Sequence, residues 1–299
     1  MNDRSWAGFL AAACLFVACS GPEEPPPVPE STVVVGSFDF TEGAILSHLY
    51  AGVLDYAGFE VKVESVATRE IMEPALEQGH IDVVPEYRGT LLRFLRPLAD
   101  LESEGNPREV LDETLEARGL AALEAAPGQN QNVLVVTSQT ASDHDLTKIG
   151  DLQKVAGEMV FGGPPECPAR PLCLLGLEGV YGLEFGRFIP LDAGGPLTLA
   201  ALNGGEIDVG LLFGTDPAID RDGLTVLIDD QGLQPAENIL PVVRAEVLEE
   251  GGSAFSDSLN ELSTHLTTET LRQLNSSVDD EGRAPEDVAE QWLETEGLV

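Results

Sequence analysis

The side chains that could do covalent chemistry are few and poorly spaced for it. An α/β hydrolase needs its nucleophile in a Gly-x-Ser-x-Gly turn. A zinc peptidase needs His-Glu-x-x-His on one helical face, and a nucleotide enzyme needs a glycine-rich loop around the phosphates. None of these occurs in the 299 residues. The four histidines (His48, His80, His144, His265) show no spacing that would bring two of them to one metal ion. Asp220-Arg221-Asp222-Gly223 resembles the start of a calcium loop but lacks the third acidic position before glycine and the closing glutamate, so it reads as a turn. Asp82 and Asp208 sit in matching Ile-Asp-Val contexts, where a polar residue opening a strand caps a neighbouring turn more readily than it serves as an acid or base. No enzyme, cofactor or metal is expected. Cys167 and Cys173 are the two cysteines left once the N-terminal pair, Cys14 and Cys19, is set aside. In an oxidising compartment they read as one disulfide, with free thiols or a metal pair as the alternatives.

The elements that must carry any site follow from hydrophobic period. Val33-Val34-Val35 reads as a buried strand ending in a Gly36-Ser37 turn. Ile45, Leu46, Leu49, Tyr50, Val53 and Leu54 form one helical face, stopped at Gly58, and Phe59 to Val63 alternates like a strand. Thr68 is placed to open a second helix through Ile71, Met72, Ala75 and Leu76, and Ile81 to Val84 is the next strand. Such alternation predicts parallel sheets covered by helices. The pattern then recurs. Ala75-Leu76 through Ile81-Asp82-Val83 matches Ala201-Leu202 through Ile207-Asp208-Val209, 126 positions later. At that step Gly36 falls on Gly162 and Tyr87 on Phe213. Two similar α/β lobes are expected, their strand-end loops facing one cleft. Helical patterns over Phe255 to Leu266, Thr268 to Ser276 and Pro285 to Leu293 close the chain and are expected to pack on the first lobe.

Acidic residues outnumber basic ones 52 to 16, a formal net charge of -36, and there are only three lysines, Lys62, Lys148 and Lys154. A nucleic-acid partner needs the opposite sign, and an anionic lipid surface is disfavoured for the same reason. A hydrophobic fraction of 43% supplies a real core. Arg4 followed by the apolar run Trp6 to Ala18 has the length of a signal peptide rather than a membrane span. Phe16-Val17-Ala18-Cys19 resembles a lipobox, with Phe16 where Leu is usual. Residues 1–18 therefore read as a lipoprotein signal, and residues 19–31 as a lipidated Cys19 on a proline-rich tether that favours extended polyproline II. The expected product is extracytoplasmic, held to the cell membrane through lipid alone.

From Val33 to Leu298 the chain resembles the substrate-binding proteins of osmoprotectant ABC importers, the glycine betaine and choline type. Gly36-Ser37-Phe38-Asp39-Phe40-Thr41-Glu42 is similar to the family's first loop. Ile81-Asp82-Val83-Val84-Pro85-Glu86-Tyr87-Arg88-Gly89-Thr90 closely resembles its Ile-Asp-x-x-Pro-Glu-Tyr-x-Gly-Thr. Ala193 to Thr198, Leu212 to Asp216, Leu266-Thr267-Thr268 and Leu274-Asn275 also fit. The resemblance implies a bilobed periplasmic-binding-protein fold of type II, with lobe 1 over 32–134 plus 241–299, lobe 2 over 135–240, and hinge crossings near Val133–Thr137 and Asn238–Val243. It implies a monomer that closes on a ligand and presents it to the permease.

The site implied by the resemblance is partial. Tyr87 matches a wall of the family's aromatic cage, where rings hold a quaternary ammonium by cation–π attraction. Thr90 matches a neighbouring ligand contact, and Phe213 occupies the place of an aromatic before Thr-Asp. Arg170 aligns with the arginine that grips a ligand carboxylate. The candidate lining is Phe38, Asp39, Thr68, Tyr87, Thr90, Asn130, Asn132, Arg170, Thr198, Phe213 and Thr215. Asn130 and Asn132 put amides where betaine binders place a tyrosine, and Leu197-Thr198 offers no ring where another is usual. A four-tyrosine cage is thus not expected. The ligand implied is glycine betaine or a related quaternary amine. The alternatives are another small polar or aromatic ligand on the same fold, or a binding domain that serves a sensor or receptor.

Overall fold

The computed structural model describes residues 32–96, 106–192 and 194–299. The readings of residues 1–31, Cys19 included, and of Ala193 lie outside the described residues. Strands β1 (Val33–Phe38), β2 (Val61–Val66), β3 (Val83–Tyr87), β4 (Leu120–Ala122) and β10 (Ile239–Arg244) form one sheet in the order β2-β1-β3-β10-β4. Strands β5 (Asn132–Thr137), β6 (Val160–Gly163), β7 (Arg187–Pro190), β8 (Val209–Phe213) and β9 (Leu224–Leu227) form the second, in the order β7-β6-β8-β5-β9. The inner pairings β2-β1-β3 and β7-β6-β8 are parallel. Strands β10 and β5 run antiparallel to their neighbours, so each sheet is mixed where the alternation alone predicts parallel. The reason lies in the crossings: both strands arrive from the other lobe, enter at the cleft end and run away from it.

The two sheets are built alike, atom for atom at one point. Val34 N–H donates to Asp82 Oδ2 at 2.8 Å while Asp82 N–H donates to the Val34 carbonyl at 2.8 Å. In the second lobe Val160 and Asp208 repeat this pair at 2.8 and 2.9 Å. Asp82 and Asp208 therefore tie the start of β3 or β8 to its neighbour strand, a structural use of a carboxylate. Gly36 and Gly162 recur for a packing reason. A Cβ at either would come within about 3 Å of the isoleucine two residues before the next strand, Ile81 or Ile207.

Helices α1 (Thr41–Tyr56), α2 (Arg69–Glu77), α3 (Arg88–Leu95) and α4 (Pro107–Glu116) cover the first sheet; α5 (Ser138–His144), α6 (Leu174–Tyr181), α7 (Pro196–Asn203) and α8 (Ala218–Arg221) cover the second. The apolar face of α1 is buried as its spacing predicts, at Ile45, Leu46, Leu49, Tyr50, Val53 and Leu54. Each of the aliphatic side chains among them contributes about 1.5–3 kcal/mol by leaving water. It meets the three closing helices, α9 (Ala245–His265), α10 (Thr268–Asp279) and α11 (Pro285–Glu296), in one first-lobe core with Phe255, Leu259, Leu271 and Leu293. Pro285 opens α11 as an N1 proline. The chain passes between sheets twice, over 123–131 and over 228–238. These segments differ from the crossings expected at Val133–Thr137 and Asn238–Val243, because β5 is hydrogen-bonded along both edges inside the second sheet, and β10 likewise inside the first. Among the described residues no helix is long and apolar enough to cross a membrane.

Candidate functional site

Between the lobes lies a cavity of about 130 Å³ lined by Arg69, Tyr87, Thr90, Asn130, Asn132, Leu172, Phe213, Gln234 and Glu237. Its two rings come from equivalent places. Tyr87 ends β3 and Phe213 ends β8, and each pairs with the crossing strand of its own sheet, at Ile239 and Asn132. The parallel strands of both sheets thus deliver one aromatic each to the same gap. Phe213 is 39% exposed although its strand is otherwise buried, so its ring faces the cleft rather than a core. Phe40 extends the aromatic edge, 6.3 Å from the Tyr87 ring centroid.

Behind Tyr87 stands Glu42, in the first turn of α1 where the helix end favours a carboxylate. It is 3% exposed. Its Oε1 accepts from the Tyr87 hydroxyl at 2.6 Å and from Asn130 Nδ2 at 2.9 Å, and its Oε2 accepts from Asn275 Nδ2 at 3.0 Å. Burial, with Glu42 alongside, pushes the Tyr87 hydroxyl well above its ordinary value, so it remains a donor. One side chain from each of α1, β3, the 123–131 crossing and α10 meets at this carboxylate. Asn275 also donates to the Thr215 carbonyl in the second lobe at 3.1 Å.

Two further buried carboxylates stand by the cavity, Glu237 in its lining and Glu86 next to Tyr87 on β3. Arg69, at the start of α2, reaches Glu86 with Nε and Nη2 at 2.8 Å each, and its guanidinium lies 5.3 Å over the Phe38 ring. Glu86 is fully buried and also accepts from Tyr87 N–H. Glu237, at the end of the 228–238 crossing, caps α3. It accepts from the Gly89 and Thr90 amides at 3.1 and 3.0 Å and from the Thr90 hydroxyl at 2.6 Å. Those amides are first-turn donors with no partner inside the helix, and Tyr87 at the N-cap provides no side-chain cap. Burial pushes the Glu237 carboxyl up from its ordinary value, and the Thr90 contacts hold it down.

Of the residues read from sequence, Tyr87, Thr90, Asn130, Asn132 and Phe213 line this cavity together. The others lie apart from it. Phe38 is buried under Arg69, and Asp39 sits with Phe40 on a separate surface hollow beside Thr41 and His48. Thr68 is exposed at the N-cap of α2, with no cap bond from its hydroxyl to the helix. Arg170 is 63% exposed and pairs with Glu166 at 3.0 Å, four residues earlier. Thr198 is buried on Asp192, donating to Oδ1 at 2.7 Å, and Thr215 is buried with its carbonyl on Asn275. The Cys167–Cys173 disulfide is present and closes the loop that carries Arg170 and Leu172. Arg69, Leu172, Gln234, Glu237 and the buried Glu42 were not read as site residues. Arg69 directly follows the candidate Thr68. Glu237 carries no local signal, being one acid among 52 in a loop.

A family model described as the substrate binding domain of ABC-type glycine betaine transport system matches residues 31–295. The glycine betaine-binding protein YehZ of Escherichia coli (strain K12) is 30% identical over 309 aligned positions, which cover 98% of each chain. A glycine-betaine-binding protein of Pseudomonas aeruginosa is 29% identical, covering 100% of this chain and 96% of its own. A crystal structure titled as a glycine betaine/carnitine/choline ABC transporter superposes with a TM-score of 0.81 at 23% identity, over 89% of this chain and 99% of its own. Apo YehZ superposes at 0.73 with 28% identity, over 90% and 100%. The cleft between duplicated lobes, its paired rings and these matches place the chain in the family of substrate-binding domains of ABC-type glycine betaine transport systems.

Proposed function

We propose that this chain binds a small quaternary amine in the cleft between its lobes and delivers it to the permease of an ABC importer. The observation that carries the reading is the pair of rings, Tyr87 and Phe213, set by equivalent strand ends of the two sheets onto one small cavity. A quaternary ammonium offers no N–H, so it is held by aromatic faces and by the field of nearby carboxylates. Glu42 behind Tyr87 and Glu237 in the cavity lining supply that field. The two crossing segments give the lobes the connections of a hinge, so a ligand that touches both walls favours the closed arrangement. The ligand walls come mainly from Tyr87, Thr90, Asn130, Asn132 and Phe213, with Arg69, Gln234 and Glu237 added. The family places the protein outside the cytoplasm, and the Phe16-Val17-Ala18-Cys19 motif supports anchorage through lipid on Cys19. Calorimetric titration of the purified protein with glycine betaine, choline and carnitine tests the reading. Saturable binding of at least one is expected, and silence with all three would remove quaternary amines from consideration.

A further inference from the structure

We infer that the cleft prefers a quaternary amine of net positive charge bearing a hydroxyl over a zwitterion bearing a carboxylate, and that Glu237 sets this preference; the inference rests on the amine-binding reading above. A ligand carboxylate needs hydrogen-bond donors or an available cation. Each donor group around this cavity already gives a hydrogen bond to the protein itself, which leaves at most the second N–H of an amide for a ligand. Tyr87 OH and Asn130 Nδ2 donate to Glu42, Thr90 Oγ1 to Glu237, Asn132 Nδ2 to Gln234 Oε1 at 3.4 Å, and Gln234 Nε2 to the Leu172 carbonyl at 3.0 Å. The two features that ordinarily attract an anion are taken as well. Glu86 takes the Nε–Nη2 edge of Arg69 and neutralises its charge, and the first amides of α3 are capped by Glu237. Arg170, the guanidinium expected to meet a ligand carboxylate, is on the surface with Glu166.

The acceptor side is the reverse. Arg69 is the one guanidinium in the described lining and is paired with Glu86, while the buried carboxylates Glu42 behind Tyr87 and Glu237 in the lining have hydrogen-bond donors but no ion-pair partner among the described residues. Helix ends offset part of the charge at Glu42 and Glu237 without cancelling it. A buried carboxylate with no cationic partner is costly, and a ligand cation entering the cavity relieves that cost. Asn130 adds an open acceptor. Its amide nitrogen must face Glu42, which accepts only, and its Oδ1 is buried with no donor. A ligand hydroxyl is the group that satisfies it, and a ligand carboxylate would face it lone pair to lone pair.

Choline and glycine betaine share the trimethylammonium head and differ at the other end, hydroxyl against carboxylate, so they are the probes. Paired calorimetric titrations of the natural protein should give choline an affinity on the order of tenfold or more above that of glycine betaine. Glu237→Gln keeps an acceptor for the α3 amides and removes the charge. It should weaken choline several-fold and leave glycine betaine unchanged or tighter, closing the gap between them. Circular dichroism checks that the variant is folded, and the comparison in the natural protein stands without it. Equal or tighter binding of glycine betaine by the natural protein overturns the inference while keeping the amine-binding reading. So does a folded Glu237→Gln that weakens both ligands alike. No binding of either ligand overturns both readings.

Discussion

Glu73 lies on α2, four residues beyond Arg69, 2% exposed and with neither carboxyl oxygen hydrogen-bonded. Burial, then the nearby Glu86, pushes its carboxyl up from 4.5 to about 7; Arg69 and Arg118 pull the other way, and Glu77 adds a little upward. The folded state therefore holds this proton more tightly than the unfolded chain does. The stability it contributes is complete below about 4.5 and is lost as pH rises through about 7. At 1.36 kcal/mol per unit, about 3 kcal/mol disappears across that window. Glu73→Gln keeps the shape and stays neutral. It should be more stable than the natural protein by about 3 kcal/mol at pH 8 and nearly equal to it near pH 4.5, as read by urea denaturation at both values. A constant difference at both pH values would refute the assignment. Glu73 also marks the limit of legibility at this scale. Tyr87, Thr90 and Phe213 could be found because they sit in recognisable motifs, the two rings at strand ends and Thr90 in the first turn of α3. Glu42 and Glu86 lie inside such motifs without a role being readable from them, and Glu73 and Glu237 are distinguished from the surface acids only by burial and partners, which no local pattern carries.

Strands and helices were legible where one face is apolar. The α1 face, β1 and the last two closing helices lie where the hydrophobic period puts them, whereas α9 opens ten residues before the expected Phe255, with a break in its helix at Gly252. The crossings were displaced by a few residues, because an apolar run reveals a strand but not the sheet that takes it. Pairing with β8 and β9, not the run itself, assigns β5 to the second lobe. The loop from Cys167 to Cys173 shows how an element without periodicity is positioned. Its disulfide fixes the entry to α6, where a Cβ on Gly176 would collide with the Pro171 carbonyl at 1.8 Å. The same loop holds Leu172, whose carbonyl accepts from Gln234 and whose side chain lines the cavity. Closing so short a loop constrains the unfolded chain by about 2 kcal/mol. Replacing both cysteines by serine should lower the unfolding free energy by about that amount. Denaturant titration checks it, and an unchanged midpoint would show that packing around α6 already holds the loop.

At the scale of the molecule, the surplus of 52 acidic over 16 basic side chains must be carried by two modest lobes. Many of the ion pairs among the described residues are solvated, Lys62 with Glu64, both about half exposed, or Arg170 with Glu166. Such pairs add little, and they leave most carboxylates facing others of the same sign. Self-repulsion then opposes the compact state over distances set by ionic strength, with a screening length of about 30 Å at 0.01 M salt and about 10 Å at 0.1 M. At the longer length the two lobes feel each other's charge across the cleft; at the shorter one each carboxylate feels mainly its neighbours. The urea midpoint of unfolding should therefore rise steadily between about 10 mM and about 0.5 M sodium chloride, most steeply at the low end. A protein held together by its ion pairs would respond in the opposite direction, so a flat or falling midpoint would mean that favourable pairs outweigh the repulsion. Urea is the denaturant to use because guanidinium would itself screen the charges whose effect is being measured.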